Sequence, residues 1–95
     1  MPNSNINSIG LKELEISFDG RGEVKGYKFE QIMKSDKAYI YKKNLEDITT
    51  YEVFKRMENV QFGCVSYPGS KSFGLWAWEY YHYDLALLCF KKLSE

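Results

Sequence analysis

Apolar and polar residues alternate from Leu14 onward, with Leu14, Ile16 and Phe18 set against Glu13, Glu15 and Ser17. A period of two predicts a half-buried strand, because successive side chains leave opposite faces of the backbone. Asp19-Gly20-Arg21-Gly22 ends it, and Asp-Gly is a hairpin signal since both central positions of the tight turn need positive φ. A second strand is expected over residues 23–33, with Tyr27, Phe29, Gln31 and Met33 on one side. Lys34-Ser35-Asp36-Lys37 reads as a turn, and Ala38-Tyr39-Ile40-Tyr41 as a third strand running into a polar loop near residues 44–47. Residues 49–57 are rich in β-branched and aromatic side chains and predict a fourth strand paired back on the third. Two shorter strands are expected at 62–67 and 73–78, separated by the strong Pro68-Gly69 break.

After Glu79 the period changes. Leu85, Ala86, Cys89, Phe90 and Leu93 recur at helical spacing, which predicts an apolar stripe along one helix. His82 or a neighbour would cap it, Asp84 falls in its first turn, and Lys91 and Lys92 fall in its last, an order that complements the helix dipole. The expected fold is α+β: an antiparallel meander of four to six strands, with one carboxy-terminal helix packed on one face. Residues 1–10 are polar and unpatterned and are expected to form a flexible arm, leaving 11–95 as a single domain. With one helix for two sheet faces, the opposite face is expected to stay open to a partner.

Composition narrows the function classes. Ninety-five residues support one core and exclude a multidomain enzyme. Thirteen basic and thirteen acidic residues cancel, so bulk charge supplies no drive toward nucleic acid or an acidic membrane surface. The longest apolar stretch, residues 85–90, is far below the roughly 18 residues of a membrane span, and no secretory signal is readable, so a cytoplasmic protein without membrane contact is expected. Cys64 and Cys89 are isolated and lack metal-ligand spacing, which predicts buried thiols.

Candidate chemistry is sparse. Gly69-Ser70-Lys71-Ser72 mimics the end of a phosphate loop, but five residues separate Gly63 from Gly69 and Ser70 intervenes before Lys71, so a surface turn is expected. An enzymatic reading would pair Cys64 with His82 and Asp84, yet residues two apart at a helix start rarely point the same way. Glu13 and Glu15 share the row opposite Leu14 and Ile16, which predicts solvated carboxylates. No enzymatic activity, cofactor or metal is expected.

Two binding surfaces compete. Phe73-Gly74-Leu75-Trp76-Ala77-Trp78-Glu79-Tyr80-Tyr81 is the densest aromatic run, at 17% aromatic residues overall. Alternation sets Phe73, Leu75 and Ala77 on one face and Trp76 and Trp78 on the other. Either the indoles and Tyr80 form a patch for a protein partner or a homodimer seam, or they fill the core. The alternative surface is basic and tyrosine-rich: Lys25, Lys28, Lys42 and Lys43 lie among Tyr27, Tyr39 and Tyr41, and rings beside lysines can stack and neutralise a single-stranded nucleic acid. The same lysines could instead only keep the outer row of a sheet soluble.

The runs 22–29, 35–39, 51–56 and 62–68, together with Phe73-Gly74-Leu75-Trp76-Ala77-Trp78, resemble small proteins of phages and mobile elements of Bacteroidota-like bacteria. That group has no established activity to transfer. The resemblance implies a phage- or prophage-encoded accessory protein acting inside a bacterial cell by binding a host or phage macromolecule, for instance blocking a host defence or regulatory factor. The leading expectation is therefore a non-enzymatic protein-binding module using Trp76, Trp78 and Tyr80, with nucleic-acid binding as the alternative.

Overall fold

A computed structural model describes residues 10–95. The expected arm, apart from Gly10, lies outside the described residues. Strands β1 (Ser17–Asp19), β2 (Lys28–Lys34), β3 (Ala38–Leu45) and β4 (Ile48–Lys55) form an antiparallel meander. Strands β5 (Glu58–Asn59) and β6 (Cys64–Val65) make a separate small hairpin. Strand β7 (Ala77–Tyr80) then returns to pair with β4, giving one five-stranded sheet in the order β1-β2-β3-β4-β7. Helix α1 (Tyr83–Leu93) closes the chain against β3, β4 and β7. The architecture is α+β, with an antiparallel sheet and one carboxy-terminal helix on one face.

Strand lengths follow from what each residue can bury. Leu45 pairs with Ile48, so Glu46 and Asp47 alone make the β3–β4 turn, with Glu46 at φ 52°. In the β2–β3 turn the Ser35 hydroxyl accepts the amide of Ala38 at 3.1 Å. The first connection departs from the expected tight hairpin. Asp19 pairs with Lys28, and the eight residues between them form a loop containing a single 3-10 turn at Gly22–Val24. Its physical reason is burial: the longer loop folds Val24 and Tyr27 onto the sheet beside Phe29. Gly20 permits this, since a Cβ there would meet the Val24 carbonyl oxygen at 2.0 Å.

A β-bulge corrects the expected row of the second strand. Gln31 pairs with Tyr41 and Met33 with Ile40, leaving Ile32 between them without a partner. Met33 is thereby moved to the helix side, while Phe29 stays on the other. The strand expected at 62–67 shortens to two residues. The one expected at 73–78 begins four residues late, because Gly74 (φ 92°) turns the chain and donates its amide to the Ala77 carbonyl at 2.8 Å.

The core has two halves divided by the sheet. Ala38, Ile40 and Val53 meet Ala86 and Phe90 of α1, with Met33, Leu87, Cys89 and Leu93 at the margins. Leu85, expected in this stripe, instead points outward and is 48% exposed, and Leu87 packs in its place. On the opposite face Phe29, Tyr39, Tyr41, Phe54 and Ala77 cluster with Val65 of β6.

That second face is partly covered by the chain itself, which narrows the expected open surface to a cleft. Tyr67 stands edge-on to Phe18, Phe29, Tyr41 and Phe54, with ring centroids 5.3, 5.7, 5.1 and 4.9 Å away. Trp76 adds a perpendicular contact to Phe54 at 6.3 Å. Such pairs favour edge-to-face geometry because the ring edge is positive and the face negative. Phe54→Ala is expected to destabilise the fold by about 3–5 kcal/mol, read as a lower urea midpoint at unchanged slope, because four aromatic neighbours lose their common contact.

Candidate functional site

An open cleft of about 1230 Å³ lies over the sheet face opposite α1. The loop after β1, from Asp19 to Val24, forms one wall, and Pro68, Gly69, Ser70 and Phe73 form the other. Phe18 and Phe29, stacked 4.8 Å apart, make an apolar part of the floor. Beside them lies a charged group: Lys43 of β3, Glu52 of β4 and Glu79 of β7.

Strand register assembles this group. Lys43 pairs with Thr50, and Glu52 with both Tyr41 and Glu79, so all of these side chains leave the same face. The Lys43 ammonium lies 3.3 Å from one Glu52 oxygen and 3.3 Å from Glu79 Oε2, and 4.7 Å above the centre of the Tyr27 ring. Tyr67 donates its hydroxyl to Glu52 Oε1 at 2.6 Å, and Thr50 donates to Glu79 Oε2 at 2.6 Å. Burial pushes the Glu52 carboxyl pKa up, against the Tyr67 hydrogen bond and the Lys43 charge. Burial alone would lower that of Lys43, but the two carboxylates outweigh it and the net direction is up. Tyr67 is raised by burial and by the Glu52 charge. Among the described residues no buried side-chain polar atom lacks a hydrogen-bond partner.

A second ionic cluster forms where the segment before β1 crosses the sheet. Arg56 grips both Glu13 oxygens at 2.7 Å and also donates to the Tyr39 hydroxyl at 2.6 Å. Lys34 approaches the same Glu13 at 3.3 Å. The Arg56 hydrogen bonds hold the Glu13 carboxyl down at about 2, and burial pushes Tyr39 up to about 12. Tyr41 donates to the Glu15 carbonyl and accepts from Gln31 at 2.8 Å. Lys12 exchanges backbone hydrogen bonds with Gly63 and Val65. The segment before β1 is thus tied across the aromatic face.

The proposed contact residues fall into different places. Trp76 packs on Phe54 on the cleft side, whereas Trp78 pairs with Val53 and Tyr80 with Tyr51, on the helix side. Gly74 breaks the alternation between the two indoles, so Trp76, Trp78 and Tyr80 do not form one patch. Tyr39 and Tyr41 are 0% exposed and have no ring face to offer a base. Lys43 is held by two carboxylates, and Lys42 lies on the helix side opposite Tyr51. Lys25 and Lys28 are exposed, with Lys28 near Asp19 at 3.7 Å. These positions do not make the expected basic, ring-bearing surface. Cys64 belongs to the small hairpin on the cleft side, while His82 opens α1 on the other, so they are not brought together. His82 occupies the helix N-cap through its carbonyl, without a side-chain cap.

Glu52, Glu79, Tyr67, Arg56 and Glu13 escaped the sequence reading as a site. One signal was present: Glu52 shares a strand row with Phe54, and a carboxylate on an aromatic row must find a partner. No family model, no curated protein and no solved structure matches the chain, so its own geometry carries the reading.

Two outcomes are expected. Lys43→Met should cost about 3–5 kcal/mol near neutral pH, because it leaves Glu52 charged and buried, and Glu52→Gln should cost much less. The Lys43→Met deficit should shrink in acid as Glu52 takes up a proton; urea titrations at two pH values test both. Glu13 behaves with the opposite sign. Its pKa falls from 4.5 unfolded to about 2 folded, so its contribution is complete above 4.5 and lost as pH drops toward 2. Glu13→Gln should flatten stability across that window.

Proposed function

We propose that the protein is a non-enzymatic binding module that receives an extended segment of another protein, apolar and basic in character, in this cleft. The observation that carries the reading is the cleft's combination of shape and lining. At about 1230 Å³ and open along one side, it exceeds the usual ~300–1,000 Å³ of a small-molecule pocket and suits a length of chain. Phe18, Phe29 and Phe73 offer apolar contact. Lys12, Arg21 and Lys43 are outnumbered by the carboxylates of Glu15, Asp19, Glu23, Glu52 and Glu79, which favours a cationic occupant. The polar groups at the base already satisfy one another, an arrangement suited to a fixed electrostatic floor and not to proton transfer.

Selection from a random peptide library tests this. Binders should be enriched in Lys or Arg beside aromatic or branched aliphatic residues. Amide shift changes on binding should map to the walls at 19–24 and 68–73. Charge reversal at the exposed rim, Glu15→Lys with Glu23→Lys, should weaken binding about tenfold while leaving the unfolding midpoint unchanged, since neither residue is buried. Selected peptides that lack basic residues, or that bind the double variant equally well, would show the reading to be wrong.

A further inference from the structure

Helix α1 turns an apolar line to solvent. Ala86 and Phe90, two residues either side of Leu88, are buried against the sheet, so at 3.6 residues per turn Leu88 points directly away from it. Leu88 is 65% exposed and Leu85, one turn earlier, is 48% exposed. Leaving two leucines in water on an eleven-residue helix costs apolar burial that a polar residue would not forgo.

The charges flanking this line are arranged about its centre. Asp84 lies four residues before Leu88, and Lys91 and Lys92 lie three and four after it. None of the three makes an ion pair among the described residues. Their order complements the helix dipole, which accounts for the charges. It does not account for the leucines between them.

We infer that this face pairs with α1 of a second copy of the chain, antiparallel and centred on Leu88. A two-fold axis at that point sets Leu88 against Leu88 and Leu85 against the aliphatic stem of a lysine. It also brings Asp84 of each copy to Lys91 and Lys92 of the other, forming the same ionic contact twice. A parallel pairing would set aspartate against aspartate and lysine against lysine, so the charges select the antiparallel one. The face is small. One helix side about 16 Å long buries less than the roughly 800 Å² per partner of a standard interface, so the dimer is weak. It lies across the sheet from the cleft and leaves that surface open.

Sedimentation of the full chain from about 10 μM to about 1 mM should show a reversible shift from one copy to two across that range. Leu88→Glu should remain a monomer throughout, with unchanged helical dichroism because the residue is exposed. Asp84→Lys should weaken the dimer at least tenfold, and adding Lys91→Glu and Lys92→Glu should restore it. A chain that stays monomeric at about 1 mM would assign the face to a different partner or to none, and overturns the inference. Dimerisation unaffected by Leu88→Glu, or no recovery in a triple variant that keeps its helical dichroism, overturns it equally.

Discussion

The two central strands are apolar on both faces, and among the described residues one helix is available to cover them. Ala38, Ile40 and Val53 point to one side, Tyr39, Tyr41 and Phe54 to the other, and none of the six is exposed. A sheet with one wet face would place three large rings in water. The second face must therefore be covered by irregular chain, whose backbone groups need partners when they are buried. Most of what distinguishes this molecule follows from that requirement.

The tyrosines answer it. A phenol carries a large apolar ring and a polar tip, so it can fill a core and still hydrogen-bond a crossing segment. Tyr39 and Tyr41 sit buried on the sheet face and use their hydroxyls to hold the segment before β1, with Arg56 and Glu13 completing the tie. Tyr67 works from the opposite direction, inserting its ring among four others and ending on the buried Glu52 carboxylate. Buried ion pairs are weak sources of stability, because desolvation offsets much of the attraction. The Lys43, Glu52 and Glu79 group is better understood as fixing register: shifting β3, β4 or β7 by one residue would send a charge into the apolar side. The cleft is the gap left between the loop after β1 and residues 68–73.

Legibility of the site differs residue by residue. Glu52 is visible as a charge on an aromatic strand row, yet its partners come from β3 and a loop, at separations that no local spacing encodes. Glu13 shows the limit more sharply. Alternation places it on a polar row, which predicts a solvated carboxylate, but Arg56, forty-three residues later, converts that row into a clamp. The tryptophans fail for another reason: Gly74 turns the chain just ahead of β7, so a period of two no longer relates Trp76 to Trp78.

What the amino-acid order determined alone is the set of elements and their class. The alternation before Asp19, the β-branched and aromatic content of β4, the Ser35 turn and the helical stripe ending at Leu93 are local, and local sterics and burial suffice to specify them. Tertiary structure decided which face each side chain serves. The bulge at Ile32 moved Met33 across the sheet, the wide loop after Asp19 displaced the start of β2, and the outward rotation of Leu85 reassigned the helix stripe. Each of these depends on how much apolar surface a distant segment can bury, an energy that exists only once the layers have met.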